Sequence, residues 1–301
     1  MKNDKIIGSL LAGAIGDCMG GPFEGQPGPL TYQAHDSWHL SDDTQLTLAT
    51  YESITTCGFV SAQHIAETFL QYFRARKITG IGSSTLKAMR DLDAGGHWAI
   101  CGAKGERAAG NGAAMRISPL AFMLRPEKDQ DRQIIRDVCR ITHHNDEAYL
   151  GALAILYAMQ SDAIHDIILN SIEALPDSRT RDRLIAINQI QQDTPAAVLA
   201  NEFGSSGYVV DSVPLALFCA RKAATLPFED VLIDAIEAGG DTDTIASMIG
   251  NIVGAHLGRA VLPEQHINRL PNIDKLTNIA KQFTAVCSKK EPSTPSPDES
   301  S

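Results

Sequence analysis

Gly239-Gly240-Asp241-Thr242-Asp243-Thr244 runs directly into Ile245, Met248, Ile249, Ile252 and Val253, an acidic cluster behind two glycines followed by apolar residues at helical spacing. The same segment carries Ala246, Gly250 and Gly254 at four-residue intervals, a smooth strip that lets a second helix approach closely and marks a central element. About 200 positions earlier, Ser41-Asp42-Asp43-Thr44 leads into Leu46, Leu48, Ala49 and Ile54 in the same manner. Helical spacing recurs in Ile65, Phe69, Tyr72 and Phe73, in Ile134, Ile135, Val138 and Ile141, and in Leu150, Leu153, Ala154 and Tyr157. Sustained strand-type alternation is absent.

Turn residues such as Pro176-Asp177-Ser178, Gly204-Ser205-Ser206-Gly207 and Pro227 separate these segments, which predicts about a dozen helices in one all-α domain. That domain is expected to span residues 1–287. The polar stretch 288–301, built of Lys, Glu, Pro, Ser and Asp, lacks the apolar residues that offset ordering entropy and is expected to be a disordered tail. Gly20 to His39 shows no periodicity and reads as a long loop, of the kind that is either functional or disordered. No internal repeat is visible, which disfavours a solenoid.

A chain of 301 residues with 44% hydrophobic composition can bury a substantial core. Its formal charge of −10 disfavours a general nucleic-acid binder, because neutralising phosphates requires clustered Lys and Arg. The six cysteines, at 18, 57, 101, 139, 219 and 287, form no C-x-x-C pair and are expected to be reduced and buried in a cytoplasmic protein. Ile6 to Ile15 faintly imitates a signal peptide. Gly8 and Gly13 interrupt it and it runs into Gly16-Asp17, so a first core helix is expected and no membrane partner.

Asp42, Asp43, Asp241 and Asp243, with neighbouring hydroxyls, form the hard-oxygen ligand set that suits Mg²⁺ or Mn²⁺ rather than zinc. Residues i and i+2 diverge inside a helix, so Asp241 and Asp243 converge only at a helix start, for which Gly239-Gly240 supplies backbone freedom. Capping alone explains one such cluster. Two clusters with doubled acids favour a cation, since like charges so close need one.

Asn111, between Gly110 and Gly112, reads either as a plain turn or as a helix start whose free N–H groups meet a pyrophosphate. His143 stands at a polar helix entry with His144, Asn145 and Asp146, and is either structural or a ligand contact. Tyr208 is placed to stack on a base, lie over a sugar or cap the core. Glu24, in the long loop, is either a solvated acid or part of a site.

Gly16-Asp17 with Glu24, Ser41-Asp42-Asp43-Thr44, Gly110-Asn111-Gly112-Ala113-Ala114-Met115-Arg116, Thr142-His143, Gly207-Tyr208 and Gly239 to Thr244 together resemble the ADP-ribosylglycohydrolase family, which includes the dinitrogenase-reductase-activating glycohydrolases. The likeness runs in the family's order from about residue 5 to residue 260. It implies an orthogonal all-α fold with two Mg²⁺ ions (Mn²⁺ in some members) in a cleft for ADP-ribose. Ser41, Asp42 and Asp43 would supply one part of the metal shell, and Asp241, Asp243 and Thr244 the other. Gly110, Asn111, Gly112, His143 and Tyr208 would contact the ligand, with Met115 and Arg116 supporting the loop. Glu24 would gate the centre and, with Asp42 and Asp43, move protons.

Two departures stand out: Ser41 replaces the usual Thr, and Ala108 and Ala109 stand where some relatives carry an acidic or aromatic side chain. The implied activity is hydrolysis of the glycosidic bond between ADP-ribose and a modified protein side chain, arginine by preference, with metal-bound water as nucleophile. The alternatives are a metal-dependent nucleotide phosphohydrolase and a non-catalytic ADP-ribose-binding protein.

Overall fold

Gly16, Gly250 and Gly254 lie so close to the facing backbone that a methyl group has no room. A Cβ on Gly16 would sit 2.1 Å from the Ala246 carbonyl oxygen, one on Gly250 2.1 Å from that of Ala12, and one on Gly254 2.2 Å from that of Gly8. The small-residue strip expected on the second acidic helix therefore has a matching strip on the first helix of the chain. The two helices run antiparallel in backbone contact and form the centre of the fold.

The computed structural model describes residues 2–289. Its α-helices, in chain order, are α1 (Lys2–Gly20), α2 (Asp42–Cys57), α3 (Ala62–Arg74), α4 (Ser83–Asp93), α5 (Trp98–Cys101), α6 (Asp129–Arg140), α7 (Asp146–Gln160) and α8 (Ile167–Ala174), followed by α9 (Arg179–Asn188), α10 (Ala196–Phe203), α11 (Val209–Arg221), α12 (Phe228–Glu237), α13 (Thr242–Leu257), α14 (Glu264–Arg269) and α15 (Ile273–Lys289). The all-α expectation holds, with fifteen helices among the described residues because several connections contain an extra turn or two. Two residue pairs, β1 (Ala103–Lys104) and β2 (His143–His144), form a short parallel ladder.

Helix α1 is buried from Ile6 to Gly20, packed against α13 and α15. It is long and apolar enough to cross a membrane by length and hydropathy, yet 83% of that window is buried inside the protein. Helix α13, whose buried stretch runs from Thr242 to Ala255, is sandwiched between α1, α11 and α12. Ser288 and Lys289, assigned to the tail, continue α15; the rest of that stretch lies outside the described residues.

The loop from Gly20 to His39 is held by its own contacts. Gly25 N–H donates to the Gly240 carbonyl (2.8 Å), Gly240 N–H to that of Gln26 (2.8 Å) and Leu30 N–H to that of Glu237 (2.7 Å). Phe23 packs against the rings of Tyr32 and His35, while Trp38 is buried between His266 and Arg269. The loop is thereby strapped to the turn that carries the second acidic cluster.

Candidate metal centre and ligand cleft

Both acidic clusters open helices. Ser41 is the N-cap of α2, its hydroxyl accepting the Asp43 N–H (3.2 Å) and donating to Asp43 Oδ2 (3.0 Å). Asp241 occupies the N-cap position of α13 and Asp243 its first turn. The two helix starts meet directly, since the Thr244 hydroxyl donates to Asp43 Oδ2 at 3.2 Å.

Asp17, named above only within the family likeness and given no role there, completes the centre. It lies in the last turn of α1, fully buried, and accepts from Ser41 N–H (3.0 Å), Thr44 N–H (3.3 Å) and the Thr44 hydroxyl (2.5 Å). An anion at the positive end of α2 is favourable. The same position brings carboxylate oxygens of Asp17, Asp43 and Asp243 within 4.8 Å of one another, and a second group, Glu24, Asp241 and Asp243, is equally close. The available signal was a single acid within the apolar run that begins at Ile6, one residue after a glycine.

Burial and mutual repulsion make this cluster hard to ionise. Desolvation pushes Asp17 up to about 6 against hydrogen bonds from Thr44 and Ser41 that hold it down. Desolvation and the Asp17 charge push Asp42 up to about 7, and desolvation with Asp241, Glu24 and Asp17 pushes Asp243 up to about 9. Asp43 is raised well above the carboxylate range by burial, then by Asp243, Asp17, Asp42 and Asp241. Among the described residues, no Lys or Arg ion-pairs with any of these aspartates. Asp43 Oδ1 is buried without a hydrogen-bond partner. A buried, orphaned carboxylate oxygen among like charges is the environment that a hard divalent cation completes, so the donor set fits Mg²⁺ or Mn²⁺.

Above the cluster lies a cleft of about 510 Å³, within the range of small-molecule sites. Glu24, Asp42, Asp241, Asp243 and Thr244 form one wall, and Gly110, Asn111, Gly112 and His143 another. The Asn111 side chain donates to Asp241 Oδ2 (2.6 Å) and Ser212 Oγ (3.1 Å), tying the glycine loop to the second acidic cluster. Below the loop, the His143 ring sits 3.2 Å from where a Gly110 Cβ would be and 2.8 Å from where a Gly112 Cβ would be, so the glycines leave room for it. Arg116, fully buried and stacked on Phe69, donates to the Thr142 hydroxyl (2.7 Å), which contacts His143 Nδ1 at 2.8 Å. Because a guanidinium only donates, the Thr142 oxygen accepts from Arg116 and its own proton is left to serve Nδ1, the tautomer that puts the imidazole proton on Nε2. Burial, with Arg116 adding, pushes His143 down to about 3, so it is a neutral donor at physiological pH.

Two expectations about this wall change. Only a three-residue 3₁₀ turn, Asn111–Ala113, follows Gly110, and Asn111 N–H is already committed to the Gly207 carbonyl (3.0 Å). The helix start without a side-chain cap that faces the cleft is that of α4, whose N-cap is Gly82 and whose Ser83, Ser84 and Thr85 line the cleft. The run Gly80-Ile81-Gly82-Ser83-Ser84 was its available signal. Tyr208 contributes its backbone, in a bridge to Gly110, whereas its side chain is absent from the cleft lining and its hydroxyl takes a hydrogen bond from Arg179 at 3.5 Å. Ser41 faces a neighbouring cavity, and Asp43 lies beneath the cleft floor.

Comparison with known proteins gives a consistent picture. The family model described as ADP-ribosylglycohydrolase matches residues 1–293. The chain is 26% identical to an ADP-ribosylhydrolase ARH3 of Danio rerio, over 94% of this chain and 90% of that one. It is 25% identical to an ADP-ribosylarginine hydrolase Tri1 of Serratia proteamaculans, over 93% of this chain and 79% of that one. A solved structure described as an ADP-ribosylglycohydrolase-related protein complex superposes with a TM-score of 0.76 at 22% identity, covering 95% of this chain and 99% of the other, a likeness of fold.

Proposed function

We propose that this chain, which belongs to the ADP-ribosylglycohydrolase family, is a Mg²⁺-dependent ADP-ribosylhydrolase that releases ADP-ribose from modified protein side chains, arginine by preference, in the cytoplasm. The observation that carries the proposal is the orphaned Asp43 Oδ1 amid Asp17 and Asp243, at the floor of a cleft whose other wall is a glycine loop. Ser41, Asp42, Asp43, Asp241, Asp243 and Thr244, joined by Asp17, would hold two Mg²⁺ ions, with Mn²⁺ as the substitute. Bound there, such ions supply charge neutralisation for the carboxylates and acidify a coordinated water.

The protein's own groups divide the remaining work. Asn111 holds Asp241 in place, and His143 presents Nε2–H between Gly110 and Gly112 as a neutral donor for a ligand oxygen. The uncapped start of α4, whose Thr85 hydroxyl lies 3.4 Å from where a Gly112 Cβ would be, offers a place for the pyrophosphate beside the glycine loop. Cleavage at an anomeric carbon develops oxocarbenium character, and a carboxylic acid beside the leaving group assists its departure. Glu24, raised by partial burial and by Asp241, is the acid at the mouth of the cleft and would exchange that proton, with Asp42 as its partner.

Mass spectrometry of arginine- and serine-linked ADP-ribosyl peptides, incubated with and without Mg²⁺, tests the proposal. Free ADP-ribose released only with the cation is the expected product. AMP would indicate a phosphohydrolase instead. Calorimetric binding of ADP-ribose without turnover of any linkage would indicate a binding protein.

A further inference from the structure

The cleft has neighbours. Beyond Glu24 it adjoins a second cavity of about 370 Å³ that shares Glu24 and Asp243 with it and is rimmed by Ser37, His39, Ser41 and Thr79. That cavity shares His39, Leu40 and Thr79 with a surface groove of about 710 Å³. The groove has the opposite charge from the centre. Arg76, Lys77 and Lys275 line it around Tyr72 and Trp38, and no Asp or Glu does.

Lys275 is partly neutralised by Glu52 at 2.9 Å. Arg76 and Lys77 are exposed, and among the described residues neither forms an ion pair with a carboxylate. In a chain of net charge −10, a cationic patch with two cations free of carboxylate partners is a local inversion of the overall field. Arg76 (φ 53°) and Asn272 (φ 57°) are the non-glycine residues with left-handed backbone among those described, and both line the groove. Hydrogen bonds from Arg76 N–H to the Phe73 carbonyl (3.0 Å) and from Lys77 N–H to that of Tyr72 (2.9 Å) close α3 with a left-handed C-terminal cap, which fixes where Arg76 and Lys77 stand.

Resting on the hydrolase assignment of the cleft, we propose that this groove docks the polypeptide that carries the modification and selects substrates with acidic residues beside the modified side chain. The ADP-ribose occupies the cleft on the His143 side, the side chain that bears it passes through the smaller cavity past Glu24, and the flanking carboxylates meet Arg76 and Lys77. A continuous polyanion such as nucleic acid is disfavoured, because the acidic remainder of the surface repels it while a few carboxylates need only the groove.

The test compares the wild-type chain with the double variant R76E/K77E, whose side chains are exposed and outside the cleft. Substrates are peptides carrying one ADP-ribose between Asp and Glu residues, the same peptides with Lys and Arg flanks, and ADP-ribosylated amino acid without a peptide, in whichever linkage the wild type cleaves. The wild type is expected to show a KM about tenfold lower for the acidic peptide, R76E/K77E to reverse that preference, and the peptide-free substrate to be cleaved equally by both. Equal KM values for the two peptides in the wild type overturn the proposal, as does an equal loss on the peptide-free substrate or preferential cleavage of an ADP-ribosylated oligonucleotide. If the wild type cleaves nothing, the hydrolase assignment fails by itself. Fluorescence anisotropy of the labelled peptides then decides the groove, and equal affinity for acidic and basic flanks overturns it.

Discussion

Substituting Gly16 by Ala pits helix propensity against packing at the α1–α13 interface, which helps to position the acidic centre. Ala is favoured over Gly inside a helix by about 1 kcal/mol. Against this, the new methyl would stand 2.1 Å from the Ala246 carbonyl oxygen and 2.4 Å from its carbon, where real Cβ contacts essentially never fall below 3.0 Å. The obstacle is backbone, so α1 and α13 must separate by about 1 Å, and overpacking of that kind costs roughly 3 kcal/mol. The net loss is about 2 kcal/mol, which for a chain of this size lowers Tm by roughly 3 °C. Asp17 is the next residue, so the same displacement draws its carboxylate away from Asp243; a misplacement of about 1 Å lowers turnover on the order of 100-fold. Gly254→Ala, at the far end of the same helix pair, should lose similar stability while keeping its Mg²⁺ affinity, because its contact is with Gly8. Gly21→Ala, which would meet nothing within 4 Å, should change neither. Scanning fluorimetry reads the Tm and isothermal calorimetry with Mg²⁺ reads the centre. A Gly16→Ala protein with wild-type Tm and wild-type cation affinity would refute the close approach and the reasoning built on it.

Three further outcomes are expected. Asp17, Asp42 and Asp243, raised to about 6, 7 and 9 from the ordinary 3.8, are held protonated by the fold; the stability this contributes is complete below about pH 4 and is lost as pH rises toward 9, so Mg²⁺ should raise Tm more at pH 8 than at pH 5, and an equal shift at both would contradict it. Asp243→Ala should cut turnover by more than about 100-fold while cation-free Tm changes little, and full activity in this variant would remove Asp243 from the centre. Thr142→Val removes the hydroxyl between Arg116 and His143; ADP-ribose affinity should fall about fivefold, corresponding to one hydrogen bond of roughly 1 kcal/mol, with Thr142→Ser restoring it, and calorimetry showing equal affinity in all three would free His143 from that relay.

Much of the molecule was legible before any coordinates. Ser41 and Asp241 announce helix starts because a short polar side chain ahead of an apolar period is a local signal, and both stand at N-cap positions. The strip Ala246, Gly250 and Gly254 announced a close neighbour for the same reason. Which helix that neighbour is was not local information. Gly8, Gly13 and Gly16 looked like interruptions in an apolar run, and only as the facing half of the strip do they explain why α1 lies at the centre. Asn111 misled because a glycine-flanked Asn before apolar residues looks the same whether a helix or a 3₁₀ turn follows, and the uncapped helix start at the cleft turned out to be that of α4.

The sequence by itself determined the helical class and both acidic clusters, and its ordered motifs pointed to the family, since each of these depends on residues within a few positions of one another or on their order along the chain. Tertiary structure alone decided that Asp17 joins Asp43 and Asp243, that the Tyr208 hydroxyl meets Arg179, and that a cationic groove lies near an acidic centre. The physical reason is that a carboxylate's role depends on which charges and dipoles surround it within a few ångströms, and helix packing sets those neighbours from positions more than two hundred residues apart.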